Sequence, residues 1–444
     1  MSSIALHGTT PHIARFTARS VYCSQLLSFP STSQRPFPSY RTASARNRTY
    51  SFSTSASVHQ RNFDRVRVHP RYPHEQKSSI SVAAEAKTTE ESGQDLTGSE
   101  QPPHHLPQTP NTPTRPYRFH IAASWAGKPE TARTGEETIS VPFAPESVIG
   151  RWRDQTLQNE GRERKRWLAR DAGEDFFFVQ EMRNGSGVGL GVADGVGGWM
   201  ASGVDPSLFA QSLMYHAHRY CRSAWAGEPE VDPTLDYEER EQVEGWELTP
   251  YACLDLAYGG VLRERHVEAG SSTACLLTLN SSSGLLRSAN LGDSGFLVIR
   301  SSNVIYKNPI QSHYFNCPKQ ITKLPSSHGR KFSRACIDSP SEAETYSAKL
   351  RDGDIVIVYT DGLADNVFDS EIVTICSLVA RQGGTEEVKV QMMADRMVEY
   401  ARKSMMSRDK YTPFEKEAAR HGMFFRGGKV DDVTVIVALV RETH

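Results

Sequence analysis

GVADGVGGWM, residues Gly191–Met200, ends an apolar run with Asp194 and continues with three glycines within four residues. The residues before Asp194, 187–193, are interleaved with glycine, as expected of a strand against which another backbone or a ligand packs closely. Because this strand ends at Asp194, the carboxylate is held rigidly, and Gly195 lets the chain turn tightly and direct a carbonyl oxygen towards the same point. A carboxylate and a carbonyl are ligands for a hard cation, although Asp-Gly also fits an ordinary turn.

Acidic residues also stand at the ends of three other predicted strands. They are Glu174-Asp175 before the apolar residues 176–179, Asp361 after the run 355–359, and Asp431-Asp432 before the run 433–440. Burying an unpaired carboxylate costs on the order of several kcal/mol, so buried acidic residues are usually paired or bound to a metal. The recurrence therefore favours a metal site over unrelated turns.

Five motifs follow one another along the chain: Glu174-Asp175, Asp194-Gly195, Gly292-Asp293-Ser294, Asp361-Gly362 and Asp431-Asp432-Val433-Thr434. This series resembles the motifs of the PPM-type (type 2C) metal-dependent serine/threonine protein phosphatases, over about residues 118–440. Residues 194–199 and the stretch HYFNCPKQ, His313–Gln320, are most similar to the mitochondrial branch of that family, homolog 7. The resemblance implies an α+β fold, an α-β-β-α sandwich of two antiparallel sheets flanked by helix pairs.

The pattern of the chain agrees with that fold. Alternating apolar residues predict a first strand near 119–125 and a meander over 274–300, and periodic apolar residues predict helices after Asp205-Pro206 and over 249–268, 370–381 and 387–407. For the irregular residues 310–347 we favour a substrate-facing flap over a zinc site. The spacings of His313, Cys317 and His328 fit no zinc pattern.

The resemblance also implies how the acidic residues act. Asp194 bridges two divalent ions. On this resemblance, the Gly195 carbonyl would bind one ion together with Glu174 and Asp175, in part through water. Asp361 and Asp431 would hold the other ion. Hard oxygen ligands favour Mg²⁺ or Mn²⁺ over zinc. Two such ions, ~4 Å apart, activate a water for in-line attack on phosphorus without a covalent phosphoenzyme.

Two further candidates come from the resemblance. Asp293 is a candidate ligand of a third, weaker ion, although its Gly-Asp-Ser-Gly turn fits a hairpin connection equally well.

Arg170 stands five residues before Asp175, the spacing at which the family carries a phosphate-binding arginine. A planar guanidinium suits two phosphate oxygens, but Arg170 also belongs to a basic patch over 162–170 of the kind usual on solvated surfaces.

The ends of the sequence differ in composition. The first sixty residues contain no Asp or Glu but several arginines among many Ser and Thr, which is typical of an organelle transit peptide. Arg48-Thr49-Tyr50 before Ser51 resembles a matrix-protease cleavage context. We therefore expect residues 1–50 to be a mitochondrial transit peptide, the alternative being a basic tail. Residues 51–115, polar and Pro-rich, are expected to be a disordered linker before a phosphatase domain over 116–444.

Composition also excludes some classes of function. The net charge of −1 is the sum of an Arg-rich leader and an acidic remainder. The acidic remainder argues against nucleic-acid binding, because a nucleic-acid backbone requires clustered Lys and Arg. The longest apolar stretch, near 433–440, is far short of the ~18 residues of a membrane span. Seven scattered cysteines support neither a zinc site nor a disulfide framework. We expect a monomer without stable membrane insertion.

The function implied is hydrolysis of phosphoserine or phosphothreonine on mitochondrial proteins of the matrix, with a link to coenzyme Q biosynthesis. One alternative is a non-catalytic, phosphoprotein-binding scaffold on the same fold, which would have lost a metal position, whereas all matched positions are intact. The sequence does not distinguish a third possibility, a hydrolase of small phosphate esters, from a phosphatase that acts on phosphoproteins. The acidic segment 227–248 is expected to be an exposed loop, the alternative being a docking surface for a basic partner.

The leader generates a direct prediction. Residues 1–50 should direct import into mitochondria and be removed, because an acid-free, Arg-rich segment is the signal that import recognises. Mass spectrometry of the protein from purified mitochondria should find a mature chain that starts near Ser51. Recovery from the cytosol of an intact chain that begins at Met1 would contradict the prediction.

Overall fold

The computed structural model describes residues 115–128, 142–158, 171–222, 248–325 and 336–443. The predicted transit peptide, nearly all of the predicted linker, Arg170 with its basic patch, and the acidic segment up to residue 247 lie outside these ranges, as does His328.

The described residues form fourteen strands. They are β1 Tyr117–Ala126, β2 Asp175–Glu181, β3 Gly187–Asp194, β4 Gly270–Ser272, β5 Ala274–Asn280, β6 Leu285–Leu291, β7 Gly295–Arg300, β8 Asn303–Lys307, β9 Ser312–Tyr314, β10 Cys317–Pro318, β11 Ile321–Lys323, β12 Glu344–Lys349, β13 Ile355–Tyr359 and β14 Val433–Glu442.

The same ranges contain seven α-helices. They are α1 Val148–Leu157, α2 Pro206–Arg222, α3 Pro250–Arg263, α4 Asp361–Ala364, α5 Asp369–Ala380, α6 Glu386–Met405 and α7 Pro413–Arg420. Among them, none has both the length and the apolar character that crossing a membrane requires.

Two five-stranded antiparallel sheets face each other. One has the strand order β1-β14-β13-β7-β8 and the other β12-β6-β5-β3-β2. Large apolar side chains from both sheets fill the space between them, including Trp125 and Phe177, whose ring centroids are 4.7 Å apart. Helices α5 and α6 cover the outer face of the first sheet, and α2 and α3 cover the second. The predicted α-β-β-α sandwich is confirmed.

Local signals in the sequence account for where the helices start. The Asp205 carboxylate accepts a hydrogen bond from the Ser207 amide at 3.0 Å, and Pro206 occupies the first helical position of α2. The Thr249 hydroxyl accepts one from the Ala252 amide at 3.1 Å at the start of α3. These short-range contacts satisfy amide groups that have no partner within the helix.

The predicted meander over 274–300 is wrong in its last step. Strands β5 and β6 pair as a hairpin, but β7 pairs with β13 and β8 in the opposite sheet. Residues 292–294 are therefore a crossover between the two sheets and not a hairpin turn. An apolar strand pattern does not specify its sheet, because sheet membership depends on partners that are distant in sequence.

Other boundaries also differ from the prediction. Helix α3 ends at Arg263 and not near Glu268, because Glu264 is extended and Lys323 Nζ donates to the carbonyls of Val261 and Glu264 at 2.9 and 2.7 Å. The irregular residues 310–347 contain β9 to β11 and part of β12, the edge strand of the second sheet. Edge position explains the weak signal of β12, since its side chains are mostly exposed or half-buried.

The glycines of β3 explain how closely the second sheet packs. A Cβ atom at Gly191 would lie 2.3 Å from a ring carbon of Phe178 and 2.8 Å from a methyl carbon of Leu276. Both neighbours are buried. The close approach predicted from the glycine-rich sequence is therefore made by an aromatic ring.

Replacement of Gly191 by Ala should destabilise the fold by about 1–3 kcal/mol, because the added methyl group overpacks a buried site. The matched control is Gly383→Ala, since a Cβ there meets no heavy atom within 4 Å. We expect the control to stay within about 0.5 kcal/mol of wild type. Urea unfolding measures both variants, and equal midpoints would show that Phe178 moves aside freely.

Candidate metal centre

Strand register brings the acidic residues of both sheets to one place. Asp175 and Asp194 are directly opposite each other, because β2 begins where the antiparallel β3 ends. Asp361 begins α4 directly after β13, and Asp431 lies just before β14, the partner of β13. The predicted convergence of the strand ends is therefore a consequence of antiparallel pairing.

Three carboxylates lie closest together. Asp194, Asp293 and Asp361 each offer an oxygen within 4.8 Å of the other two. Among the residues that the structure describes, Oδ1 of Asp293, Oδ1 of Asp361 and Oδ1 of Asp175 are buried and have no hydrogen-bond partner. Buried oxygens without a donor fit a divalent cation, which these hard ligands would bind directly. The donor set present thus fits the metal that the family motifs imply.

The pKa shifts of the aspartates in the centre also favour a bound cation. Burial, reinforced by the nearby carboxylates of Asp361 and Asp175, raises the pKa of Asp194 well above its ordinary value. Burial and the Asp361 carboxylate likewise raise the pKa of Asp293. Like charges in a desolvated site disfavour ionisation. A divalent cation would offset that repulsion.

Asp175 and Asp194 are held in place by hydroxyl groups. Oδ2 of Asp175 accepts hydrogen bonds from the hydroxyls of Thr360 at 2.7 Å and Thr434 at 2.9 Å. The Asp194 amide donates to the Thr273 hydroxyl at 3.1 Å, and the Thr273 amide donates to the Asp194 carbonyl at 3.0 Å. The carboxylates therefore belong to a rigid framework that joins both sheets.

Gly195 lies where a side chain has no room. A Cβ atom there would be 2.5 Å from the Pro206 carbonyl oxygen and 2.8 Å from that of Glu174. The Gly195 amide donates to the same Glu174 oxygen at 3.1 Å. The glycine thus permits the tight turn after Asp194 that the sequence predicts.

Two lysines in the centre were not predicted from the sequence. Lys128 Nζ lies 2.9 Å from Glu174 Oε2, 3.0 Å from Asp431 Oδ1 and 3.4 Å from Asp432 Oδ2. Lys429 Nζ lies 2.5 Å from Asp361 Oδ2, 2.7 Å from Asp365 Oδ2 and 3.2 Å from Asp431 Oδ2.

The lysines change the surroundings of three acidic residues. Glu174 and Asp431, predicted as metal ligands, face lysines and lie outside the closest group of three carboxylates. Asp365 was not predicted either. Burial raises the pKa of Glu174 to about 7, an effect that Lys128 opposes. Burial likewise raises the pKa of Asp365 to about 7 against the opposing charge of Lys429. The spacing of Asp365, four residues after Asp361, is the one sequence signal that would have suggested it.

A small cleft opens above the carboxylates. It is lined by Asp194, Asp293, Asp361 and Lys429 and by residues 316–318 of the β9–β10 hairpin. The hairpin belongs to the segment for which a substrate-facing flap is predicted. A larger cavity of about 370 Å³ lies at Trp152 and His218, and none of the described residues that line it carries a carboxylate.

Comparisons with known proteins were made for the whole chain. No protein-family model matches it. The protein phosphatase PTC7 homolog fig of Drosophila grimshawi is 38% identical over 269 residues, 60% of this chain and 79% of that protein. The human protein phosphatase PTC7 homolog is 36% identical over 271 residues, 61% of this chain and 80% of that protein. The solved photosystem II phosphatase PBCP is 26% identical and covers 72% of this chain and 98% of its own, with a TM-score of 0.48.

The sandwich and its acidic centre define a metal-dependent serine/threonine protein phosphatase of the PPM type. The chain belongs to the PTC7 branch of that family. The alternative of a non-catalytic scaffold is thereby set aside.

Substitution of Asp194 by Asn should lower the phosphatase rate by several orders of magnitude. An amide keeps the volume but is a poor ligand for hard ions, so calorimetry should show loss of Mn²⁺ binding. The fold should survive, because removal of one charge relieves repulsion in the metal-free site.

The matched control for this prediction is Asp409→Asn, the same chemical change at an aspartate whose side chain is 91% exposed. We expect the control to retain wild-type turnover and ion binding. If Asp194→Asn also bound two ions tightly and turned over within a few-fold of wild type, Asp194 would be only a turn residue.

Proposed function

We propose that this phosphatase hydrolyses phosphoserine and phosphothreonine on mitochondrial proteins, with two Mg²⁺ or Mn²⁺ ions per chain. The observation that carries the proposal is the convergence of Asp194, Asp293 and Asp361, with buried carboxylate oxygens that have no donor among the described residues. These three residues offer carboxylate oxygens, and such a set favours Mg²⁺ or Mn²⁺ over softer metals.

The residues that would hold the ions are Asp194, Asp361, Asp431 and the Gly195 carbonyl, with Glu174 and Asp175 in support. When bound, the ions activate a water as nucleophile and neutralise charge on the phosphate. The threonine hydroxyls hold the Asp175 carboxylate, and the Thr273 contacts hold the backbone of Asp194, before any ion arrives. Ligands held by a rigid supporting shell lose little entropy when they bind an ion.

The substrate phosphate would enter through the cleft above Asp194. Asn316, Cys317, Pro318 and Lys429 are among the residues that line it. Arg170, which lies outside the described ranges and stands five residues before Asp175 in the sequence, is proposed to bind the phosphate oxygens. A guanidinium can contact two phosphate oxygens at once.

The cellular setting is proposed on the sequence alone. The acid-free, Arg-rich residues 1–50 support import into mitochondria and location in the matrix. The proposal that substrates belong to coenzyme Q biosynthesis rests on the resemblance to the homolog 7 branch. Phosphoproteins of the matrix are therefore the first substrates to test.

The purified protein should release phosphate from phosphoserine and phosphothreonine peptides in Mn²⁺ and lose this activity in chelator. A small aryl phosphate should be hydrolysed with a lower kcat/KM, because it makes fewer contacts outside the phosphate. The Asp194→Asn variant controls for contaminating phosphatases. Activity in chelator would contradict the metal proposal, and turnover of the aryl phosphate alone would instead favour a small-ester hydrolase.

A further inference from the structure

The ammonium of Lys429 lies among three carboxylates of the metal centre. Its Nζ contacts Asp361, Asp365 and Asp431 at 2.5, 2.7 and 3.2 Å. The residue is only 8% exposed, and the Nζ atom lies 5.2 Å from the centroid of the Phe414 ring. An ammonium has three N–H donors, so three carboxylate partners match its full capacity.

The backbone of Lys429 is fixed from both sides by one side chain. The Lys429 amide donates to Asn366 Oδ1 at 3.0 Å, and Asn366 Nδ2 donates to the Lys429 carbonyl at 2.9 Å. Asn366 Nδ2 also donates to the Gly362 carbonyl at 3.0 Å, which ties this loop to α4. The Asn366 side chain is fully buried. Lys429 is therefore held in position and is not a mobile surface lysine.

The two oxygens of Asp361 have different surroundings. Oδ2 accepts from Lys429, whereas Oδ1 has no hydrogen-bond partner among the described residues. Asp361 also belongs to the closest group of carboxylates, with Asp194 and Asp293. Lys429 thus fixes the rotation of the Asp361 carboxylate and leaves one oxygen for a divalent ion.

The other neighbours of this ammonium are acidic residues that a third ion would need. Oδ2 of Asp365 accepts a hydrogen bond from Lys429 Nζ, and Asp293 lines the same cleft as Lys429. Asp365 lies outside the closest group of three carboxylates, but the charges of Asp361 and Asp365 both act on Asp293. Without the ammonium, these three residues would offer only carboxylate oxygens to a hard cation. A positive charge at Nζ repels a divalent ion placed at Oδ2 of Asp361 and Asp365, whereas Oδ1 of Asp361 lies outside that pairing and stays available to an ion at Asp194.

We propose that Lys429 is a built-in cation that takes the place of a third divalent ion at Asp293, Asp361 and Asp365. The inference rests on the proposed function, because it assumes that two ions bind at Asp194. It revises the expectation that Asp293 holds a third ion in this chain. Lys429 is then a positioning residue that orients Asp361 and neutralises Asp365.

Calorimetric titration of the full chain with Mn²⁺ tests the proposal through the number of bound ions. Wild type should bind two ions. Lys429→Met removes the charge at similar length, and the variant should bind a third, weaker ion. Adding Asp365→Asn to that variant should abolish the third site. The matched control Lys323→Met removes a lysine that donates to the backbone carbonyls of Val261 and Glu264, and it should bind two ions.

If Lys429→Met does not fold, a single substitution in the wild-type background still tests the proposal. Asp365→Asn alone should leave two ions bound, because Asp365 pairs with Lys429 and not with a metal. Three ions in wild type, fewer than two in Asp365→Asn, or two in a folded Lys429→Met would each overturn the role of Lys429. No ion bound in wild type would overturn the proposed function itself.

Discussion

The burial of many like charges where two sheets meet is the constraint on which this structure depends. Eight carboxylates surround the centre, and two lysines lie among them. The carboxylates are those of Glu174, Asp175, Asp194, Asp293, Asp361, Asp365, Asp431 and Asp432. Desolvated carboxylates repel each other strongly, so the surrounding chain must supply donors and cations at fixed positions. Threonine hydroxyls, backbone amides and the two lysines supply them.

Asp432 shows how the constraint determines neighbouring residues. Its carboxylate accepts from the amides of Lys128 at 2.6 Å and Glu174 at 3.0 Å, which joins β14 to the end of β1 and the start of β2. A Cβ atom at Gly173 would lie 1.9 Å from Asp432 Oδ1, and one at Gly362 would lie 1.8 Å from the Asp432 carbonyl oxygen. Asp432 therefore acts through backbone contacts, and the glycines near it are required by close approach.

Features set by near neighbours were predictable from the sequence, and those set by distant contacts were not. The Asp205 cap, the Gly-rich β3 and the acidic strand ends depend on residues a few positions apart. The sheet to which β7 belongs depends instead on β13, about sixty residues later in the chain. Lys128 reaches Asp432 across 304 positions, and no local pattern marks a lysine as the partner of so distant a carboxylate.

Charge balance connects the lysines to the metals. Two lysines offset two of the eight carboxylates, so six negative charges remain if all ionise. Two divalent ions, as proposed, would neutralise four more. Two charges then remain. Neutral donors partly offset the burial of two carboxylates, namely two threonine hydroxyls on Asp175 and two backbone amides on Asp432, although burial still raises the pKa of both groups. A third divalent ion would equal these last two charges in number, so charge balance alone does not exclude it. What opposes a third ion is the Lys429 ammonium on Asp361 and Asp365, which the Asn366 hydrogen bonds to the Lys429 backbone hold in place.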